Sequence, residues 1–352
     1  MTPSLRFGCQ VAHYGDVAGT VELAVAVEEA GFDAVSLPDH LFHPTGTEDF
    51  LADPPWEAFT VLGALAAETE SVELLPGVAD SVRRHPAVLA HTVATLDRLS
   101  GGRTALGLGA GEAFNIAPVP DFEWAPAYTR FRECLDVVTG LWASTADDPL
   151  TVDGECFHLD RAHMGFEPER DPPVYVGGYG PKMRALTGRR ADGWFPWIHA
   201  PDPYAADRER VDAAAAEAGR DPDDVAGMLM VPTCVSEDGA AAREAARERT
   251  RANLALRPAL LAALGHPDLA EAAPPMREMA YDPDQRERLT DVAGRIPDDA
   301  VDEVVVAGTP EEAVADLERF AEAGVTFPVV IPVGDAAETL SHYEETILPR
   351  LS

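Results

Sequence analysis

The sequence predicts an α/β fold, a (β/α)8 TIM barrel with insertions. Three observations predict it. Eight short apolar, β-branched runs alternate with helical patterns along the chain, as repeated strand–helix units require. The length of 352 residues fits one large barrel. Glycines and polar residues gather just past the carboxyl ends of the strands, where a barrel keeps its chemistry. A doubly wound sheet is the alternative reading of the same alternation.

Leu5–Ala12 reads as the first strand and Val17–Ala30 as a helix closed by Gly31. Asp33–Pro38 is the second strand, followed by a loop and a helix near Trp56–Thr69. Val72–Gly77 is the third strand. Pro86–Leu99 is its helix, with proline at the start and Gly101 just past the end, the usual asymmetry of helix termini. Arg103–Leu108 is the fourth strand and Pro126–Trp142 its helix. Pro173–Gly178 and Gly193–Ile198 are the fifth and sixth strands, followed by helices Pro181–Arg190 and Tyr204–Ala218. Gly227–Val235 is the seventh strand, Pro310–Ala323 a late helix and Phe327–Pro332 the eighth strand. Residues 147–171 form a small insertion with a hairpin over Leu150–Leu159, and residues 253–299 a mostly helical one. Neither has linker composition, so the expectation is a single domain over residues 1–352.

There are 61 acidic and 27 basic residues, for a net charge of −34. Of the basic residues, only Lys182 is a lysine. Phosphate backbones demand basic surface, so nucleic-acid binding is excluded as a function class. The acids are spread over helices and form no tail. Such a surface suits a salt-rich cytoplasm, where screening removes self-repulsion, and the expected source is haloarchaeal. No apolar run reaches the length of a membrane span, and Met1–Phe7 lacks a basic region followed by an apolar core, so no secretory signal is expected. Cys9, Cys134, Cys156 and Cys234 form no Cys-x-x-Cys pair and read as small reduced hydrophobes of a cytoplasmic protein.

The segment Leu106–Asn115, Leu-Gly-Leu-Gly-Ala-Gly-Glu-Ala-Phe-Asn, is an apolar strand running into alternating glycines, an acid and an amide. It reads either as a floor for a flat cofactor, with Gly109, Ala110, Gly111, Glu112 and Asn115 against it, or as a plain strand-to-helix turn. The second strand delivers Asp39 and His40, the best acid–base pair in the chain, since a carboxylate can orient an imidazole that titrates near neutrality. The first strand offers Gln10 and His13, the second also His43, and the sixth Trp197 and His199. The third strand ends in Gly77, Val78 and Ala79. The fifth ends in Gly177, Gly178, Tyr179, Gly180 and Pro181, followed by Lys182; a helix start of this kind offers N–H groups to phosphate. The first strand runs into Ala12-His13-Tyr14, not into the glycine fingerprint of a Rossmann site. The histidines show no metal-ligand spacing, so no metal is expected.

These segments resemble the luciferase-like superfamily, and within it the branch that uses the deazaflavin coenzyme F420. The resemblance is carried by Phe32–His40, Leu74–Pro86, Leu106–Asn115, Pro173–Pro181 and Gly308–Glu312, and so spans nearly the whole chain. Gly-Glu-Ala-Phe-Asn with Asp39-His40 is similar to F420-dependent sugar-phosphate and alcohol dehydrogenases. The Gly77–Pro86 spacing is closer to methylenetetrahydromethanopterin reductases. The resemblance implies a homodimer, a cis peptide at Gly77–Val78 shaping a surface for the ring, and a phosphate and tail site over Gly177–Lys182. It implies hydride exchange between the deazaflavin C5 and a small-molecule substrate: an alcohol, a sugar phosphate or a methylene-tetrahydropterin. His40 then moves the substrate's proton, Asp39 positions His40 or the ring, and Glu112 is a proton donor or electrostatic partner. Three features depart from the pattern. Gln10 stands where the pterin reductases tend to have an acid. Leu41-Phe42-His43-Pro44 replaces the tryptophan that follows Asp-His in the sugar-phosphate enzymes. The sugar-phosphate enzymes also need a basic cluster, and none stands out here, Arg83 and Arg84 being the nearest candidates. The competing function is an FMN-dependent monooxygenase using reduced flavin and oxygen.

Overall fold

The computed structural model describes residues 4–11, 16–42, 56–274 and 283–352. Eight parallel strands form the barrel: β1 Gly8–Gln10, β2 Ala34–Leu37, β3 Glu73–Pro76, β4 Leu106–Gly109, β5 Val174–Gly177, β6 Gly193–Trp194, β7 Ala226–Val235 and β8 Phe327–Pro332. Each pairs with its neighbour in chain order except β3 and β4, and β8 returns to β1. The remaining seam is held where Leu74 bridges Thr104, with Leu74 N donating to Arg103 O and Ala105 N to Leu74 O. The sheet is therefore a barrel and not a doubly wound layer.

Alternation along the strands decides which side chains fill it. Ala34, Leu75, Tyr175, Met228, Phe327 and Val329 belong to the inner cluster. Their neighbours Val35, Leu74, Val174, Leu229 and Val330 pack outward. Outside lie α1 Val17–Glu29, α2 Ala58–Glu68, α3 Pro86–Ser100, α4 Ala127–Ala143, α5 Pro181–Arg190 and α6 Pro201–Glu217. The helix α3 starts on Pro86 and stops at Gly101, which takes the left-handed conformation at φ 71°. The late helix, α8 Pro310–Glu322 in an order where α7 is Gly239–Ala255, opens with a Thr309–Glu312 capping box.

Several elements differ from expectation. The sixth strand is only two residues long, because Pro196 donates no hydrogen bond and Ile198 turns to φ 51°. The hairpin pairs Leu150–Asp153 with His158–Ala162, longer on its second arm than expected. Two short strands were not foreseen. Ala79–Asp80 continues β3 onto β4, and Val306–Gly308 adds to the end of β7. The C-terminal helices Ala336–His342 and Leu348–Leu351, joined through Tyr343–Ile347, were also unforeseen. They cover the start of β1, with Tyr343 packed on Phe7 and Phe32. The second insertion supplies the short helices Pro258–Ala263 and Pro267–Ala272, and Pro283–Arg295. They build a separate apolar cluster that reaches Ile198 and Cys234 at the barrel mouth. No helix among the described residues is long and apolar enough to cross a membrane.

Candidate active site

Where β2, β3, β4 and β5 end, the backbone makes a shelf. The Gly77–Val78 peptide is cis, as the resemblance implies. Gly77 O accepts from the buried Gln10 Nε2 at 3.2 Å. The side chain of Val78 lies over the neighbouring strands: a Cβ on Gly107, Gly109 or Gly177 would stand 3.0–3.1 Å from it. A Cβ on Gly107 would also strike Pro76 O at 2.1 Å. The glycines of β4 are thus small to admit β3 and its valine, not to bring backbone against a ligand. Gly77, Val78, Ala110, Gly111, Gly177, Gly178 and Tyr179 keep part of their surface open, whereas Ala79 and Gly109 are buried and support the shelf from below. Gly111 takes φ +94° to turn the chain into the short helix Ala113–Ile116, whose N-cap is Glu112.

That turn brings Glu112 and Asn115 to His40. Asn115 Nδ2 lies 3.1 Å from His40 Nδ1, and Glu112 Oε2 lies 3.9 Å from it. The Glu112 side chain keeps 40% of its surface open to the mouth and His40 25%. Protein crowded around Glu112 nevertheless pushes its carboxyl up to about 7, with Asp80 adding to the rise and Arg83 opposing it. A carboxyl poised near neutrality is a competent proton donor and acceptor.

Asp39 differs from expectation. It is 3% exposed, and guanidinium groups hold its carboxylate. Arg83 donates to Oδ2 at 2.8 Å, and Arg84 spans Oδ2 and Oδ1 at 2.5 and 2.9 Å. Arg83 also pairs with Asp80, and Arg84 with Glu57 at 2.5 Å. Asp39 therefore anchors the two arginines, while Asn115 reaches the His40 ring. The arginines in turn are occupied by carboxylates, so the nearest candidates for a sugar-phosphate grip are already engaged. Two adjacent arginines just past a buried strand were the sequence signal for such partners, since buried guanidinium demands paired charge.

Across the mouth, α5 begins at Pro181 with Gly180 as its N-cap and no side chain satisfying its first N–H groups. Lys182 is exposed beside them, its Nζ 5.5 Å from the Tyr128 ring. Tyr179 is locked: its hydroxyl donates to Trp197 O at 2.6 Å and accepts from Trp197 N at 2.9 Å. Arg257, from the second insertion and 7% exposed, stacks 3.5 Å over the Tyr179 ring and bonds Trp197 O and Ile198 O. Nothing in its local sequence singled out Arg257. His199 is buried, packed on Trp194 and Tyr204 with Nε2 3.4 Å from Asp207, and burial holds its proton affinity down. His13, Tyr14 and His43 lie outside the described residues.

The model of the luciferase-like monooxygenase family matches residues 4–326. The chain belongs to that family. Among its relatives, a 5,10-methylenetetrahydromethanopterin reductase of Archaeoglobus fulgidus is 28% identical over 99% of this chain and 100% of its own. An F420-dependent glucose-6-phosphate dehydrogenase of Microbacterium testaceum is 32% identical over 100% and 98%. Among solved structures, an F420-dependent secondary alcohol dehydrogenase with a bound F420–acetone adduct superposes with a TM-score of 0.83 at 27% identity, covering 99% of this chain and 100% of that one.

Proposed function

We propose that this member of the family is a coenzyme F420-dependent oxidoreductase acting on a small organic substrate. The observation that carries the reading is the convergence of His40, Glu112 and Asn115 beside the open Gly77–Val78 shelf. The F420-dependent relatives over the full length support it. The donor set fits the coenzyme. Gly77 and Val78, with Ala110 and Gly111, offer a surface for a flat ring, and the helix start at Gly180–Lys182, which no side chain caps, suits a phosphate together with the Lys182 ammonium. Coenzyme F420 supplies the hydride chemistry at C5 of its deazaflavin. The chain's residues supply orientation and protons. His40 handles the proton of the substrate oxygen. Glu112, protonated below about 7, gives or takes the proton that accompanies the hydride on the ring. Asp39 holds Arg83 and Arg84 beneath both.

Of an alcohol, a sugar phosphate and a methylene-tetrahydropterin, the occupied state of Arg83 and Arg84 favours a substrate without a phosphate. The working unit is a homodimer of single-domain chains in a salt-rich cytoplasm. Two measurements test the reading. The purified protein is titrated separately with coenzyme F420 and FMN; micromolar binding of FMN with none of the deazaflavin would replace the proposal by a flavin monooxygenase. Deazaflavin absorbance is then followed against panels of alcohols, sugar phosphates and reduced pterins. His40→Ala and Glu112→Ala are each expected to slow turnover on the order of 10²–10⁴-fold. Unchanged turnover in both refutes the roles given to these residues.

A further inference from the structure

We propose that Gln10 is a specificity-determining residue: it offers the bound ligand a hydrogen-bond acceptor and nothing else, and so selects a ligand that presents an N–H or O–H at the Gly77 shelf. The inference rests on the reading of that shelf as the ligand's seat. Gln10 is the last residue of β1, at the carboxyl end of the barrel. Cys9 before it packs in the outer cluster, so alternation turns Gln10 inward. Its register partner on β2 is Ser36. Gly77 lies against both: a Cβ there would strike Ser36 Oγ and stand 3.3 Å from Gln10 Nε2.

The neighbours of the carboxamide orient it. One end lies 3.2 Å from Gly77 O. A backbone carbonyl only accepts, so that end is the NH2. The reversed amide would set two acceptors against each other. The second amide hydrogen goes to Met230 Sδ at 3.7 Å, a weak acceptor. Both donors of Gln10 are thus spent inside the barrel, and Oε1 is left. Among the described residues no group donates to Oε1, yet it is not one of the polar atoms sealed from solvent without a partner. Gln10 keeps 7% of its surface open. Ser36 Oγ beside it is sealed. Of the two polar side chains under the shelf, only Gln10 reaches a ligand, and only as an acceptor. The amide is neutral, so it discriminates by hydrogen bonding and not by charge. A ligand without a donor leaves Oε1 unpaired, which costs more than the bond itself contributes. Two ligands carry such a donor: the ring, through its imide N–H, and an alcohol, through its hydroxyl.

The test is a cycle of paired deletions on the full chain, read by equilibrium binding and not by turnover. The ring pair is coenzyme F420 and the same coenzyme methylated at its imide nitrogen, followed by absorbance and fluorescence. The alcohol pair is isopropanol and its methyl ether, titrated against the coenzyme-loaded chain. In the unmodified chain, blocking the donor that Gln10 reads is expected to weaken binding roughly three- to tenfold. Gln10→Met, of similar length and without the amide, is expected to weaken the natural ligand by a similar factor, after which blocking the donor costs nothing more. Such coupling in the ring pair names the coenzyme as the donor, and in the alcohol pair the substrate; either supports the proposal. An unmodified chain indifferent to both replacements overturns it. So does a Gln10→Met variant that discriminates in both pairs as the unmodified chain does. Should Gln10→Met not fold, Gln10→Ala, which removes the amide without overfilling the barrel, takes its place. If FMN binds and the deazaflavin does not, the ring cycle is run with FMN and its imide-methylated form. The coenzyme F420 reading then fails, and the role of Gln10 is still decided.

Discussion

The proton-transfer role proposed for Glu112 falls on a side chain that neighbouring protein crowds, although 40% of it stays open. Its carboxyl is displaced upward from an ordinary value of 4.5 to about 7 because surrounding protein replaces water. The sign follows directly. The folded chain prefers the neutral form, so the stability linked to this group is fully present below its ordinary value and is lost as pH rises through about 7. For activity, the protonated donor disappears above the same point. The pH profile of substrate oxidation is therefore expected to fall with a limb near 7, and Glu112→Gln to remove that limb while lowering the rate. A limb that persists in the Gln variant assigns it to another group. At this scale the sequence made His40, Glu112 and Asn115 legible as types at strand ends. Which of them touch was not legible: Asp39 and His40 are adjacent along the chain, yet Asp39 turns to two arginines and Asn115, delivered from another strand, reaches the ring.

At the scale of elements, β4 is shaped by β3. Its glycines exist because Val78 and Pro76 O occupy the space their side chains would need. Gly107→Ala is expected to destabilise the chain by roughly 1–3 kcal/mol, the usual cost of overpacking a filled core, measured by chemical denaturation. A variant as stable as the parent would mean that β3 can withdraw. Helices with proline at the start and glycine at the end were readable because their signals are local. Ala79–Asp80 and Val306–Gly308 were not, since a strand this short exists only through its partner's hydrogen bonds. The lock on Tyr179 is similar. Arg257 comes from an insertion some eighty residues away in sequence and acquires meaning only when packed on that ring.

At the scale of the whole molecule, a net charge of −34 sets solubility and self-repulsion, not fold. Many of the arginines are drawn into ion pairs, among them Arg247 with Asp302 and Arg251 with Asp298 across the second insertion. The excess acid remains to be screened. Removing molar salt is expected to abolish the helical circular-dichroism signal, and its full retention in dilute buffer would refute adaptation to salt. The sequence by itself determined the strand–helix alternation, the helix ends, the acidity and the family motifs, because each depends on local periodicity, turn chemistry or composition. Only the tertiary structure decided the closure of the barrel at Leu74–Thr104, the filling of the glycine shelf by Val78, the burial of Asp39 between two arginines and the approach of Asn115 to His40. Those are contacts between residues distant in the chain, fixed by register and packing once the strands have paired.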